Sequence, residues 1–466
     1  MTLPIPSPPG LPLLGHATLF DPDFPMSSLH KLVQEYGNGE IVSIRLPGGK
    51  EVVVIGSQEL LHEVNDDERF KKRIQDGLQE MRPAMGDSLL TAEVPGENNW
   101  YIAHRVLASS FSAIGLRGFF DDMSEISSQL ALKWERFGSH TEIDLLADFT
   151  ALTFEVISLC SMSYRMNIFY HGGKHPFADA VASYSAEAFR RMHRPGLVNA
   201  LMFSANAQFT LDTAMMQECV ESILQERKAH PTETRDALYA MMHDTDPVTG
   251  QRMSELSIKQ NIITLLMAGF ETTASFLTFV FYHLLHHPTA MRKLCTEIDS
   301  TLAGRPLAPD DLGKLPYLIA VMRETLRLTP TSPGRLVEPV ADTTLGGRYA
   351  VRRGTPVLVS TYMGHRDTRV WGDDVEVFRP ERMLDGQFEA LPPDSWQPFG
   401  VGLRACIGRA FAWQEAQVTL VKLLQRFTFA LVDPDAGPCI RQTFTLNPRG
   451  VRVRAFPRAG REEAGA

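Results

Sequence analysis

The sequence predicts a mainly α-helical domain with small β-sheets at its margin. Helical periodicity covers most of the chain, strand-like alternation is confined to a few short segments, and the composition does not shift along the 466 residues. No internal repeat or low-complexity run divides the sequence. We therefore expect one integrated domain over residues 1–457. Residues 458–466 are small and charged, which is typical of a tail or of the start of a linker.

Apolar residues at helical spacing mark ten segments. The predicted helices are residues 26–36, 58–65, 100–111, 118–137, 147–160, 211–230, 256–285, 290–302, 315–328 and 409–427. The most apolar stretch, residues 261–285, is long enough to cross a membrane, but Glu271, Thr272 and Thr273 at its centre would be costly in lipid. We therefore expect a helix buried in the protein core.

Strand-like segments are few. Residues 40–45 and 51–55 flank Pro-Gly-Gly and predict one hairpin, and residues 348–351 and 356–360 flank Arg-Arg-Gly-Thr and predict a second. Residues 427–432 and 451–456 alternate in polarity and predict a third strand group.

Charge and cysteine content exclude several classes of function. A net charge of -9 and a pI near 5.9 argue against a nucleic-acid-binding protein. The five cysteines are odd in number, far apart and never in a CxxC pair, so neither a disulfide framework nor a zinc site is indicated. The chain begins with a proline-rich stretch and has no basic segment followed by an apolar one. We expect a cytoplasmic protein with neither a signal peptide nor a membrane anchor.

The most informative segment is Phe-Gly-Val-Gly-Leu-Arg-Ala-Cys-Ile-Gly, from Phe399 to Gly408, directly before a predicted helix. Backbone N–H groups and the helix dipole at that position favour a thiolate at Cys406, as a metal ligand requires. Arg404 supplies a fixed positive charge for an acidic group, and Phe399 can shield the sulfur from water. Gly402 and Gly408 permit a tight turn and a close approach of the backbone to a flat cofactor.

This spacing, FxxGxRxCxG, resembles the cysteine loop of the cytochrome P450 family. The resemblance implies the family's helical fold and a bound haem b, iron protoporphyrin IX, with Cys406 as the iron ligand and Arg404 at a haem propionate. For a single cysteine the alternative is a structural residue buried in a glycine-rich turn.

The stretch Ala268-Gly-Phe-Glu-Thr272 resembles the oxygen-binding pattern of the same family. Ala268 and Thr272 are four residues apart and therefore share one helix face, on which a small side chain leaves room for a ligand. Glu271 and Thr272 are the candidate catalytic residues, an acid and an alcohol that deliver protons to dioxygen. Without the cysteine loop, these residues would be taken for a polar patch or a kink.

Other residues match family motifs in the family's order. Glu324 and Arg327 form an ExxR pair, and Arg382 in Phe-Arg-Pro-Glu-Arg is expected to complete a structural charged triad with them. Trp100 and His104, four apart on one helix, are implied haem propionate contacts. Lys72, in a Lys-Lys-Arg run, is a further candidate for that role, and a solvated surface is the alternative for the run.

Residues 100–112, 267–285, 326–333 and 397–416 resemble the haem domain of self-sufficient fatty-acid hydroxylases of bacteria and fungi. In those proteins a reductase that carries FMN and FAD and takes electrons from NADPH follows the haem domain. The resemblance implies a monooxygenase that uses dioxygen to hydroxylate medium to long-chain fatty acids at subterminal positions. The sequence has no flavodoxin-like phosphate loop and no dinucleotide-binding motif, so we expect the diflavin reductase as a separate or missing C-terminal partner.

The candidate substrate contacts are Leu78, Met81, Leu90, Met267, Phe270 and Ser332, with core packing as the alternative for each. Leu90 stands where the bacterial relatives carry a bulky aromatic residue, and Phe270 where they usually carry histidine. Lys50 stands where they carry an arginine that meets the substrate carboxylate. Two other functions remain open, a peroxide-driven or rearranging haem-thiolate enzyme and a non-catalytic haem-binding sensor; the Glu271–Thr272 pair argues against the first.

Overall fold

The computed structural model describes residues 2–170, 175–194, 196–435 and 437–458, so most of the predicted tail lies outside the described residues. The α-helices are, in chain order, α1 (Pro25–Gly37), α2 (Gln58–Glu63), α3 (Arg82–Met85), α4 (Asn98–Ala108), α5 (Ala113–Gly118), α6 (Phe120–Phe137), α7 (Leu145–Met162), α8 (Pro176–His193), α9 (Gly196–Leu201), α10 (Phe203–Ala229), α11 (Ala237–His243), α12 (Glu255–His286), α13 (Pro288–Leu302), α14 (Pro316–Leu328), α15 (Thr361–Gly364), α16 (Thr368–Trp371) and α17 (Arg409–Arg426). The strands are β1 (Ile41–Arg45), β2 (Glu51–Ile55), β3 (Phe70–Lys72), β4 (Ile143–Asp144), β5 (Arg335–Pro339), β6 (Thr343–Leu345), β7 (Tyr349–Val351), β8 (Val357–Val359), β9 (Phe427–Leu431), β10 (Cys439–Gln442), β11 (Leu446–Arg449) and β12 (Arg452–Pro457).

The predicted mainly helical fold is confirmed, and each of the ten predicted helices is present. Most ends differ by a few residues, but α10 begins at Phe203, eight residues before its predicted start. Helix α8 and the short helices α3, α5, α9, α11, α15 and α16 were not predicted from the sequence. In α8 the buried side chains include Ala180, Ala188 and Phe177, so small residues carry much of its inner face and weaken the apolar pattern.

Helix α12 is the predicted core helix, and α7 packs closely along it. Gly269 makes this approach possible, because a Cβ atom on Gly269 would lie 2.7 Å from Cγ1 of Ile157 on α7. By length and composition α7 and α12 could each cross a membrane, yet most of their residues are buried inside the fold.

The β-structure differs from the second predicted hairpin. Strand β8 does not pair with β7 but lies inside a five-stranded sheet of order β1-β2-β8-β5-β3, parallel to β2 and antiparallel to β5. Strand β7 pairs instead with β6 across Gly346 and Gly347, which both have positive φ angles. Two glycines with positive φ angles fit the mirror-image turns that are common in β-hairpins. Strand β8 suits the interior of a sheet, because Val357 and Val359 are fully buried.

The remaining predicted strands are present and pair as predicted. The first hairpin forms between β1 and β2, and β9 pairs with β12 in a sheet that β4 completes. Strands β10 and β11 form a separate hairpin that contacts α12. This hairpin places two polar side chains beside the centre of the core helix.

Replacing Gly269 tests the close packing of α12 and α7. We expect Gly269→Ala to lower the free energy of unfolding by about 1–3 kcal/mol, because the added methyl overpacks the contact with Ile157. The measurement is urea unfolding followed by circular dichroism. Gly118→Ala is the matched control, since Gly118 is also helical and its Cβ would meet no heavy atom within 4 Å. Equal effects of both substitutions would contradict the close approach.

Candidate functional site

Cys406 lies in a tight loop between a 3₁₀ turn, Gly402–Arg404, and the start of α17. Its backbone N–H donates to the carbonyl of Phe399 at 2.9 Å, which closes the loop. Gly402 has a φ of 68°, and a Cβ there would lie 2.8 Å from a carboxylate oxygen of Asp67, so this position requires glycine. The φ of Gly408 is -85°, so no positive φ accounts for glycine there, and its Cβ would lie 4.0 Å from the Cys406 sulfur.

Cys406 is an exposed residue, yet the surrounding protein atoms limit the hydration of its thiol. Burial raises its pKa above the usual value for cysteine, and the backbone N–H of Gly408 and the charge of Arg409 lower it in part. The local groups predicted to favour the thiolate therefore act in the expected direction but do not outweigh burial. A thiolate at this position depends on a stronger positive charge, such as that of a coordinated metal ion.

Three cations, Lys72, Arg335 and Arg404, lie close together near the loop. Burial is the largest cause that lowers the pKa of each, followed for Lys72 by the charges of Arg404 and Arg335. The pKa of each of the two arginines falls to about 10. Within the described residues, none of the three forms an ion pair with a carboxylate.

These cations are held by neutral acceptors. Lys72 Nζ donates to the carbonyl of Leu90 at 2.8 Å, and Arg404 donates to the carbonyls of Ala92 and Leu89 at 2.9 and 3.1 Å. Arg335 donates to the side-chain oxygens of Gln397 and Asn65. Carbonyl and amide oxygens orient the cations but do not neutralise them, so the group is suited to an acidic ligand.

Trp100 and His104 lie beside this group on α4. Their rings stack with centroids 4.8 Å apart, and the Arg404 guanidinium lies 5.0 Å from the Trp100 ring centroid. Trp100 Nε1 donates to the carbonyl of Leu89 at 3.2 Å. Burial and the charges of Arg105 and Arg404 lower the pKa of His104. The structure thus brings together the predicted residues Lys72, Trp100, His104 and Arg404.

Phe399 belongs to an aromatic group on the other side of the loop. Its ring centroid lies 6.2 Å from that of Trp396 and 6.4 Å from that of Trp413 on α17. The Arg409 guanidinium carbon is 5.7 Å from the Phe399 ring centroid. These rings cover the segment that leads into Cys406.

Ala268 and Thr272 share an accessible face of α12, although most of the helix around them is buried. The Thr272 hydroxyl donates to the carbonyl of Ala268 at 2.8 Å. Phe270 does not lie on this face. Its ring packs 5.2 Å from the ring of Phe154 on α7, and its carbonyl accepts a hydrogen bond from Thr153. Phe270, a predicted substrate contact, therefore does not lie on the same helix face as Ala268 and Thr272.

The Glu271 carboxylate is turned toward the β10–β11 hairpin. Its Oε1 accepts hydrogen bonds from the Thr445 hydroxyl at 2.8 Å and from Asn447 Nδ2 at 3.1 Å. Burial raises the pKa of Glu271, while these two bonds and the charge of Arg449 lower it in part. Glu271 also lines a cleft of about 870 Å³ bordered by parts of α6, α7 and α8. The acid therefore contacts a cleft open to solvent, while Thr272 beside it lies on the face of Ala268.

Glu324, Arg327 and Arg382 form a buried charged cluster. Arg327 donates to both carboxylate oxygens of Glu324 at 2.8 and 2.9 Å, and Arg382 Nε donates to Glu324 Oε1 at 3.0 Å. Arg327 also donates to the backbone carbonyls of His365 and Val375 at 3.0 and 2.7 Å. The cluster fixes backbone segments and lies apart from the Ala268–Thr272 face.

The remaining candidate substrate residues lie in several elements. Leu78 and Met81 are in a 3₁₀ turn, where the Met81 carbonyl accepts the Tyr184 hydroxyl at 3.0 Å. The Leu90 carbonyl accepts bonds from Lys72 and Arg404, while its side chain packs against the core. Met267 lies near α8, with its sulfur 3.9 Å from the Ser185 hydroxyl. Ser332 is exposed in the segment between α14 and β5.

Lys50, a carboxylate-binding position according to the sequence resemblance, already has an acidic partner. Its Nζ lies 2.6 Å from Asp76 Oδ1, and Asp76 also pairs with Arg73. A substrate carboxylate at this position would have to compete with Asp76.

Four residues around the site were not predicted from the sequence: Arg335, His365, Thr445 and Asn447. Thr445 and Asn447 are two residues apart at the start of a strand, so their side chains point to the same face, which was a usable signal. Arg335 and His365 reach the cysteine loop from segments distant in sequence, and no spacing pattern indicates such contacts.

Comparisons with known proteins identify related sequences. A family model described as Cytochrome P450 matches residues 5–455. A self-sufficient cytochrome P450 monooxygenase of Phanerodontia chrysosporium is 44% identical over 464 residues, which are 99% of this chain and 44% of that protein. A bifunctional cytochrome P450/NADPH–P450 reductase of Aspergillus oryzae is 42% identical over 465 residues, 98% of this chain and 42% of that protein.

A further bifunctional cytochrome P450/NADPH–P450 reductase, of Fusarium oxysporum, is 40% identical over 463 residues, 98% of this chain and 43% of that protein. The chain therefore spans less than half the length of these relatives. Since the family model covers nearly the whole chain and the cysteine loop has the geometry described above, the chain belongs to the cytochrome P450 family.

Proposed function

We propose that this chain is the haem domain of a monooxygenase that hydroxylates medium to long-chain fatty acids at subterminal C–H positions. It uses dioxygen and electrons from an NADPH-dependent diflavin reductase. The observation that carries the proposal is the placement of the Cys406 thiol, a group of cations without an ion-pair partner among the described residues, and an acid–alcohol pair in a chain of this family. We also propose a cytoplasmic localisation, since all five cysteines are free.

The donor set fits haem b. Cys406 offers one sulfur ligand, and Lys72, Arg335 and Arg404 offer the positive charge that two propionates require. Trp100 supplies a flat surface beside Arg404. When bound, the haem supplies the thiolate-ligated iron at which dioxygen is activated.

The chain's own residues control proton supply. The raised pKa of Glu271 favours its neutral, protonated form, so it can release its proton toward Thr272 and the resulting carboxylate can then take up a proton from the cleft. The hydroxyl of Thr272 can both donate and accept a hydrogen bond, so it suits the last position of such a route. Ala268 leaves space for a small ligand on the same face.

The fatty-acid substrate rests on the resemblance to self-sufficient hydroxylases and on the apolar character of Leu78, Met81, Leu90 and Met267. An apolar channel holds an alkyl chain by burial of its methylene groups, and its shape determines which carbon is presented. The paired Lys50 gives no free cation for a carboxylate, so we expect chain length and shape to dominate recognition.

The need for a reductase follows from the relatives, two of which are named as bifunctional proteins that include an NADPH–P450 reductase. Hydroxylation with dioxygen consumes two electrons, and a haem domain alone has no site for hydride transfer from NADPH. We propose that a diflavin reductase, fused or separate, supplies them.

The variant Cys406→Ala tests whether Cys406 is the ligand of the haem iron. We expect this variant to lose the carbon monoxide difference band typical of thiolate-ligated haem, because the sulfur ligand is removed. The control is Cys439→Ala, at an exposed cysteine in the β10–β11 hairpin, which should keep the band. A thiolate-type band in Cys406→Ala would refute the assignment.

Thr272→Ala tests proton supply. A positioned proton donor contributes about 10²- to 10⁴-fold in rate, so product formed per NADPH should fall at least about tenfold while hydrogen peroxide release rises. Fatty-acid binding, measured by the shift of the Soret band, should remain. Thr278→Ala is the matched control, because Thr278 makes the same bond to the carbonyl four residues earlier, at 2.8 Å, but in the buried core. Equal coupling in both variants would remove Thr272 from the mechanism.

The electron source and the substrate are tested together with the purified chain, NADPH, dioxygen and saturated fatty acids of increasing length. We expect no NADPH-dependent product from the chain alone and subterminal hydroxy acids once a diflavin reductase is added. Product analysis by mass spectrometry gives the positions. Robust NADPH-driven turnover by the chain alone would contradict the proposed electron route, and a failure to hydroxylate any fatty acid with reductase would contradict the substrate.

A further inference from the structure

His365 lies fully buried between the charged cluster and the cysteine loop. It follows α15 directly, and the Arg327 guanidinium donates to its backbone carbonyl at 3.0 Å. Its ring has polar partners on both sides. Nδ1 lies 3.2 Å from the carbonyl oxygens of Leu326 and Arg327, and Nε2 lies 3.0 Å from the backbone nitrogen of Gln397.

The partners determine the protonation state of this imidazole. A carbonyl oxygen can only accept, so Nδ1 carries the hydrogen, and the N–H of Gln397 can only donate, so Nε2 carries none. His365 is therefore neutral. Burial and the nearby charge of Arg327 agree with this assignment, because they lower the pKa of His365 to about 3.

On one side, His365 completes the end of α14. The last carbonyls of a helix have no partner inside the helix. In α14, His365 binds the carbonyls of Leu326 and Arg327, and Arg366 donates to that of Leu328 at 2.7 Å. The helix that carries Glu324 and Arg327 is thus capped by two consecutive side chains.

On the other side, His365 holds the start of the cysteine loop. The Gln397 carbonyl accepts the N–H of Gly400 at 3.0 Å, and two residues after Gln397 the carbonyl of Phe399 accepts the N–H of Cys406. The Gln397 side chain accepts a bond from Arg335, one of the three cations of the site. The backbone nitrogen of Gln397 is therefore an anchor point for both the thiol and a cation.

We propose that His365 is a positioning residue, which transmits the rigid geometry of the Glu324–Arg327 cluster to the Cys406 loop and so holds the sulfur in place. The proposal rests on Cys406 being the haem ligand, which Cys406→Ala tests separately. His365 acts through the backbone of Gln397 and touches none of the reacting atoms.

Two substitutions test the hydrogen bonds on the two sides of the His365 ring one at a time. His365→Asn can still donate to the α14 carbonyls, since an Asn amide reaches about as far as Nδ1, but it cannot reach Gln397. His365→Gln places its amide oxygen near the position of Nε2 and can still accept from Gln397. The matched control is His283→Phe, because His283 is also a buried histidine and binds Thr329 without contact to the loop.

The first measurement is the rate at which the thiolate-type carbon monoxide band is lost in the haem-loaded, reduced protein under mild heating. We expect this loss to be about tenfold faster in His365→Asn than in the unsubstituted protein, as the removal of one buried hydrogen bond predicts. His365→Gln should lie between the two, and His283→Phe should match the unsubstituted protein. Equal rates in His365→Asn and in His283→Phe would overturn the proposal.

The second measurement does not depend on the haem. Amide hydrogen exchange in the peptide that spans residues 397–406 should speed up in His365→Asn, while that of α14 stays protected. If His365→Asn does not fold, His365→Gln is compared with His283→Phe: it keeps the bond to Gln397 but loses those to the α14 carbonyls, so the loop is no longer tied to the cluster and a smaller increase in exchange is expected. Unchanged exchange in residues 397–406 in a folded variant would also overturn the proposal.

Discussion

Positive charge that is partly buried and not neutralised is the constraint on which the site depends. Lys72, Arg335 and Arg404 repel one another, and each loses solvation, so bringing them together opposes folding. Backbone and amide oxygens orient them, and none of the three is ion-paired with a carboxylate among the described residues. Binding of a ligand with several negative charges would offset this cost, and since burial raises the pKa of the Cys406 thiol, its thiolate form would need a nearby positive ion.

The core helices hold other residues of the site in a fixed geometry. The contact of Gly269 with Ile157 determines how closely α12 and α7 approach, and the same turn of α12 carries Ala268, Glu271 and Thr272. Adjacent residues on a helix point about 100° apart. Glu271 therefore reaches the cleft while Thr272 lies on the Ala268 face, so one turn of the helix presents an acid and an alcohol on two different faces.

Sequence patterns predicted those parts of the structure that depend on local spacing. The helices followed apolar periodicity, and the cysteine loop and the Glu324–Arg327 pair were found because their residues are close in sequence. The hairpin at residues 348–360 was predicted wrongly, because the turn glycines that pair β6 with β7 lie before it and β8 pairs with distant strands. Arg335 and His365 could not be predicted, since their roles depend on hydrogen bonds to Gln397, which lies 62 positions from Arg335 and 32 positions from His365.

The Glu324–Arg327–Arg382 cluster shows why charged groups are retained far from the reacting atoms. A buried ion pair adds little net stability, because desolvation offsets most of its attraction. The hydrogen bonds of the cluster are nonetheless directional: Arg327 and Arg382 donate to backbone carbonyls, among them those of Val375, Val377 and Trp371. Those carbonyls belong to a segment with little regular secondary structure, whose backbone forms few regular hydrogen bonds with itself. The cluster thus substitutes for secondary structure there, and it fixes a backbone segment that precedes the cysteine loop in the chain.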